Sequence, residues 1–204
     1  MHSMSAPPLC MHSRIRPSGQ ERKIESKLAL QQSLGWPAEP KRPMLCLPAG
    51  MSEKLGGNVL EELLPGLLTL PAEILVVGKG SSTYGTLFTT LAKEHRHRIH
   101  IVADKEDPLR RMYEAADMAL FLSDPKSMKE LQQCFTSGIV PVSLASSALD
   151  DYDPVQESGN AFLFASPNAW QCFAALVRAM ETYKLPFDWR TIQKNGMETL
   201  RERS

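Results

Sequence analysis

The residues able to do chemistry in this chain fall on a few short stretches. Lys54 stands in Pro48-Ala-Gly-Met-Ser-Glu-Lys54-Leu, just after an apolar run. Gly78-Lys-Gly80 closes a second run, but Thr83 stands where a dinucleotide fingerprint needs its third glycine, so NAD is not expected here. Asp124-Pro-Lys-Ser127-Met128-Lys129-Glu130 holds mixed charge, and Ser127 with Glu130 has the Ser-x-x-Glu spacing of a capping box. His95-Arg-His-Arg98-Ile-His100 tempts as a metal or phosphate site. It has no nearby carboxylate or cysteine pattern, and reads as a solvated cationic turn at a helix end, where the dipole favours positive charge. Cys10, Cys46, Cys134 and Cys172 are scattered, with no Cys-x-x-Cys pair, and read as reduced thiols of a cytoplasmic protein. No nucleophile-and-base constellation follows from spacing. Neither a catalytic residue, a metal site nor a cofactor is expected.

These stretches punctuate a regular series of elements. Residues 1–22 read as a disordered tail, broken by Pro7, Pro8, Pro17 and Gly19 and kept solvated by Arg14, Arg16 and Arg22. Residues 23–43 read as a lead-in helix and linker. Ile24, Leu28 and Ala29 are expected on the helix's buried face, Gly35 at its C′ position, and Pro37 and Pro40 beyond it. From residue 44 to 204, short apolar runs alternate with helical patterns. Strands are expected at Met44–Leu47, Glu73–Val77, Ile99–Val102, Met118–Leu122, Ile139–Val142 and Ala161–Phe164. A leucine-rich helix follows the first run and is expected to kink or end early at Pro65. Further helices are expected over Thr83–His95, Pro108–Ala115, Met128–Ser137, Asn168–Tyr183 and Trp189–Arg203.

Short apolar runs with little alternation are what strands buried on both faces of a parallel sheet look like. Separated by helices, they predict an α/β fold, a single doubly wound Rossmann-like sheet. The 204 residues can bury about 70% of their unfolded surface in one core. With 23 basic and 23 acidic side chains the formal net charge is zero, which argues against nucleic acid or an anionic membrane as partner. No run approaches the roughly 18–20 apolar residues of a membrane span, and the start lacks a signal-peptide core.

Several stretches in order resemble the carboxyl-terminal half of glycogen and starch synthases, which are two-domain GT-B glycosyltransferases. They are Lys23-Ile-Glu-Ser-Lys-Leu-Ala-Leu-Gln-Gln-Ser-Leu34-Gly35-Trp-Pro37, Leu75-Val-Val-Gly78-Lys-Gly80 with Tyr84, and Arg111-Met-Tyr113-Glu-Ala-Ala-Asp117-Met. Gly138-Ile-Val-Pro141-Val, Gly159-Asn-Ala-Phe162-Leu-Phe, Trp189 and Asn195-Gly196-Met197 complete the series. The resemblance runs over Lys23–Met197 and implies the carboxyl-terminal half of a GT-B fold, the half that grips ADP-glucose or UDP-glucose. It also implies a partner carrying the amino-terminal GT-B domain.

The resemblance places Lys54, Gly78, Asp104, Lys105, Ser127, Met128, Lys129 and Glu130 on the face that meets the substrate. Lys54 matches the family's phosphate-binding lysine, whereas its arginine has become Ala49, which has no fork for a phosphate pair. The family's sugar-contacting glutamate falls on Pro125 or Lys126, and its phosphate-approaching glycine on Met128 or a neighbour. The residue capping the adenine pocket falls on Asp104, which offers no stacking face. The Thr-Gly-Gly-Leu turn becomes Ser146-Ser147-Ala148-Leu149, while Asp117, Pro141, Gly159 and Trp189, which hold the fold, are intact. Two readings follow: a nucleotide-sugar-binding half that does no transfer alone, or a non-catalytic binding or scaffold module of the same descent.

Overall fold

The computed structural model describes residues 19–202; the expectations for Cys10 and the prolines and arginines before Gly19 lie outside them. The apolar runs are strands β1 (Met44–Leu47), β2 (Glu73–Val77), β3 (Ile99–Val102), β4 (Met118–Phe121), β5 (Val140–Leu144) and β6 (Phe162–Phe164). Every pairing is parallel, and the spatial order is β3-β2-β1-β4-β5-β6. The helices are α1 (Gly19–Ser33), α2 (Gly57–Leu67), α3 (Ser82–Glu94), α4 (Glu106–Ala115), α5 (Lys129–Thr136), α6 (Ala169–Tyr183) and α7 (Pro186–Glu202). This is the doubly wound α/β sandwich that the spacing of the runs predicts.

Two separate cores explain why the strands show no apolar alternation. Leu45, Leu47, Ile74, Val76, Met118 and Leu120 face one core, shared with α2, α3 and α6. Met44, Cys46, Leu75, Val77, Ala119 and Phe121 face the other, shared with α4 and α5. Successive side chains point to opposite faces, and both faces are covered, so positions facing either side are predominantly apolar. The positions read as fold-holding do that work. Trp189 stacks on Phe162 with ring centroids 6.3 Å apart. A Cβ on Gly159, whose φ is +91°, would fall 2.2 Å from the Asp151 carbonyl oxygen.

Helix α1 departs from expectation. It begins at Gly19, ahead of Lys23, and its buried face is polar: Lys27 and Gln31 are buried while Ile24 is 40% exposed. Lys23, Lys27 and Gln31 lie one turn apart on one side of the helix, and that side crosses the amino-terminal edge of the sheet. Lys23 Nζ donates to the Ser137 carbonyl ahead of β5 (3.0 Å). Lys27 Nζ meets Asp117 Oδ2 ahead of β4 (2.5 Å), and the same oxygen accepts the Met44 N–H of β1 (2.8 Å). Gln31 Nε2 donates to both carboxylate oxygens of Glu73 on β2 (3.0 Å each). A sheet edge offers backbone polar groups and the residues that satisfy them, so a polar stripe fits it better than an apolar one. Gly35, at φ +67°, ends the helix as expected, with the Trp36 N–H donating back to the Gln31 carbonyl (2.8 Å).

Two smaller expectations are also corrected. Pro65 does not stop α2, which runs on to Leu67 with the proline on its exposed side. Arg98 is not a solvated cation. Its guanidinium donates to the carbonyls of Leu68 (2.6 Å), Ala72 (2.9 Å), Leu67 and Leu70. Those carbonyls lie at the end of α2 and in the turn that leads to β2, so the positive charge sits against the carboxyl end of a helix other than its neighbour in sequence.

Candidate functional site

In an open parallel sheet, ligands bind outside the carboxyl ends of the strands, where the strand order reverses. Here β1 lies between β2 and β4, so the crevice opens at the carboxyl ends of β1 and β4. Its walls are the loops after β1 (residues 48–56), β2 (78–81), β3 (103–105) and β4 (122–128).

The first two loops are zipped together by backbone. Met51 and Gly80 form a parallel bridge, in which the Met51 N–H donates to Lys79 O and the Ser81 N–H to Met51 O (3.1 Å each). Only glycines permit this approach. A Cβ on Gly50 (φ +71°) would lie 2.2 Å from Lys79 O, and one on Gly80 (φ +121°) 1.8 Å from Met51 O. The Gly78 N–H is spent on the Val102 carbonyl (2.8 Å). The Gly78-Lys-Gly80 turn therefore serves loop-to-loop contact.

The charged centre of the crevice is an ion pair between Lys79 and Glu130, with Nζ 2.7 Å from Oε1. Lys79 follows β2 and Glu130 sits in the first turn of α5, after β4, so the pair passes over the carboxyl end of β1. Burial is the largest single influence and pushes the Glu130 carboxyl up, but the Lys79 hydrogen bond, a backbone N–H and the charges of Lys79 and Lys129 together outweigh it and leave the group below the usual carboxylate value. The capping box is not formed: Met128 is the N-cap residue of α5, no side chain caps it, and Ser127 is exposed. Glu130 is drawn to a charge on another loop instead.

Of the other residues singled out from sequence, Lys54 lies on an exposed 3-10 turn, and Gly78 is exposed beside Ile101. Asp104 and Lys105 are exposed at the start of α4, Lys129 is exposed, and Met128 packs half-buried against the core. All stand at the carboxyl ends of strands, yet direct side-chain contact joins only Glu130 to a partner across the crevice, among the contacts described. Asp124, in the same loop, is held below the usual carboxylate range by the Ser146 hydroxyl and the Lys126 N–H. Lys79 carries no sequence mark of a site residue beyond its pair of flanking glycines, and nothing local points to a partner 51 residues away.

A cavity of about 620 Å³ opens beside the same loop, walled by Lys79, Ser81, Tyr84, Phe88 and Ile101. Cys46, Cys134 and Cys172 are buried free thiols, and burial pushes Cys172 up to about 12, far from thiolate chemistry. Among the described residues no set of three His, Cys, Asp or Glu side chains gathers to hold a metal, and no helix is long and apolar enough to cross a membrane.

No protein-family model matches the chain. A glycogen synthase from Gloeobacter violaceus is 30% identical over 186 residues, which are 87% of this chain and 40% of that protein. The chain is homologous to glycogen synthases over most of its own length. It spans less than half the length of the curated relatives it matches. The catalytic domain of starch synthase IV from Arabidopsis thaliana, bound to ADP and acarbose, matches with a TM-score of 0.74 at 18% identity, over 90% of this chain and 41% of that one. The carboxyl-terminal domain of a group 1 glycosyl transferase from Francisella tularensis matches with a TM-score of 0.63 at 14% identity, over 86% of this chain and 91% of that domain. These likenesses fix the fold as that of a GT-B glycosyltransferase domain with a Rossmann-like sheet.

Proposed function

We propose that this domain holds the nucleotide of ADP-glucose or UDP-glucose in the crevice over β1 and β4, as one half of a two-domain glucosyltransferase. The observation that carries this is the placement of Lys54, Lys105 and Lys129 on the loops after β1 and β3 and at the start of α5, around the crevice where the strand order reverses. A departing diphosphate gains negative charge, and fixed cations on those loops lie where that charge develops. The ADP bound in the starch synthase IV structure supports the same ligand class. In this reading Lys54, Lys105 and Lys129 supply charge, Gly78 and Ser127 line the approach, and Asp104 borders the base.

The same loops argue that the chain does no transfer by itself. Ala49 offers no guanidinium, Met128 has a side chain where the backbone must approach phosphate, and the other wall of the cleft must come from an amino-terminal GT-B domain. A second reading, a non-catalytic binding or scaffold module, is favoured by one observation. The N–H groups of Gly78, Lys79 and Ser81 are committed to Val102, Val77 and Met51, so that turn has few donors left for a ligand.

Calorimetric titration with ADP, UDP and ADP-glucose tests the proposal. Binding tighter than about millimolar, near −4 kcal/mol, and weakened by Lys54→Ala supports the nucleotide-holding half. No heat with any of the three leaves the scaffold reading.

A further inference from the structure

The Lys79–Glu130 pair has the geometry of an occupied anion site whose anion is the protein's own. Lys79 reaches it by a particular route. Its stem passes over Gly50, where an added Cβ would lie 2.6 Å from Lys79 Cγ, so a side chain at position 50 would push the lysine off this path. The ammonium then projects over the end of β1 to Glu130. The two partners differ in access: the Lys79 side chain is 35% exposed and that of Glu130 12%. A solute entering the crevice from outside therefore meets the lysine first, and meets it already engaged.

We propose that Lys79 is the cation that takes the phosphate charge of a nucleoside diphosphate here, and that Glu130 is its built-in competitor. This rests on the reading of the crevice as a nucleotide site and adds a residue and a latch to it. Phosphate oxygens are stronger ammonium acceptors when two or more converge on it, and a diphosphate carries several. The ligand displaces one carboxylate from one lysine, and the released Glu130 lies against the entering phosphates as a like charge. The crevice is thereby set to a weaker affinity than its lysine alone would give. Removing the carboxylate's charge while keeping its shape tightens binding; removing the lysine's charge abolishes the difference.

The test uses the full 204-residue chain, titrated calorimetrically with ADP and UDP, and with inorganic pyrophosphate as a probe without base or ribose. Four proteins are compared: the natural chain, Glu130→Gln, Lys79→Gln and the double variant, each checked for an unchanged thermal transition and circular dichroism. Glu130→Gln is expected to bind the nucleotides roughly three- to tenfold tighter, the scale of a half-exposed ion pair. Lys79→Gln is expected to weaken binding by about tenfold or more and to erase the gain in the double variant. Pyrophosphate following the same order places the effect on phosphate and not on the base. Nucleotide binding that is unchanged or weaker in Glu130→Gln overturns the latch and leaves the nucleotide site standing. Absence of binding in both the natural chain and Glu130→Gln overturns both.

Discussion

Asp117 Oδ2 accepts from the Lys27 ammonium at 2.5 Å and from the Met44 N–H at 2.8 Å, so a single oxygen ties helix α1, strand β1 and the start of β4. Both side chains are withdrawn from water, 2% exposed for Lys27 and 6% for Asp117. Breaking one partner of such a pair leaves the other charge buried alone. We expect Lys27→Met and Asp117→Asn each to lower unfolding free energy by about 3–5 kcal/mol. The double variant should lose clearly less than the sum. Urea unfolding of all four proteins checks this, and strict additivity would contradict the direct coupling.

Two glutamates should give opposite pH limbs. Burial holds the Glu73 carboxyl above its ordinary 4.5, although Gln31 donates to it. The native state keeps that proton to higher pH than the unfolded chain, so stability falls as pH rises from 4.5 through the native value. Glu130 is shifted down from 4.5, so its contribution is present above that value and is lost as pH falls through the native one. Glu73→Gln should therefore flatten the stability profile above pH 4.5, and Glu130→Gln the profile below it. Thermal melts across the acid range would show which limb each variant removes.

Glycines of this chain should respond to alanine with opposite signs. Gly50→Ala and Gly80→Ala force a Cβ into backbone at positive φ, and should each cost about 2 kcal/mol or more. Gly85 lies exposed on α3 with nothing near its would-be Cβ. Gly85→Ala should stabilise by roughly 0.5–1 kcal/mol. A stabilised Gly80→Ala protein would contradict the bridge between the first two loops.

Arg98 should not be replaceable by lysine. Its guanidinium serves carbonyls of Leu67, Leu68, Leu70 and Ala72 at once, and a single ammonium cannot match that spread. Arg98→Lys is expected to lose about 1–3 kcal/mol despite keeping the charge. Faster amide exchange should be confined to the end of α2 and the following turn.

The sheet was legible in sequence because burial on both faces writes itself as unbroken apolar runs; every strand was found within about two residues. Helix caps with local signals were legible too: Asn168 accepts from the N–H groups of Trp170 and Gln171 as the start of α6. What escaped was decided by contacts between distant segments. Lys27 and Gln31 look like surface residues on a helix until a sheet edge is laid against them. Glu130 has a good local partner in Ser127, and loses it to Lys79 because an ammonium is a stronger attraction than a helix-end amide. Arg98 belongs by position to the turn after α3, and by function to α2. The candidate site was legible only as a set of loops, since which cation meets which carboxylate depends on how those loops lie beside one another.

The crossing helix has a consequence for the order of events in synthesis. Lys27 is made early, yet its partners Asp117 and Tyr183 lie 90 and 156 residues further along the chain. Its ammonium has no reason to leave water until those partners exist and the strands between them are aligned. We expect pulse-labelled hydrogen exchange during refolding to protect the amides of β1 and β4 before those of α1. Protection of α1 first would refute this. The first of the described elements in chain order is then the last to be fastened, and it closes the domain only once α6, far along the chain, is in place.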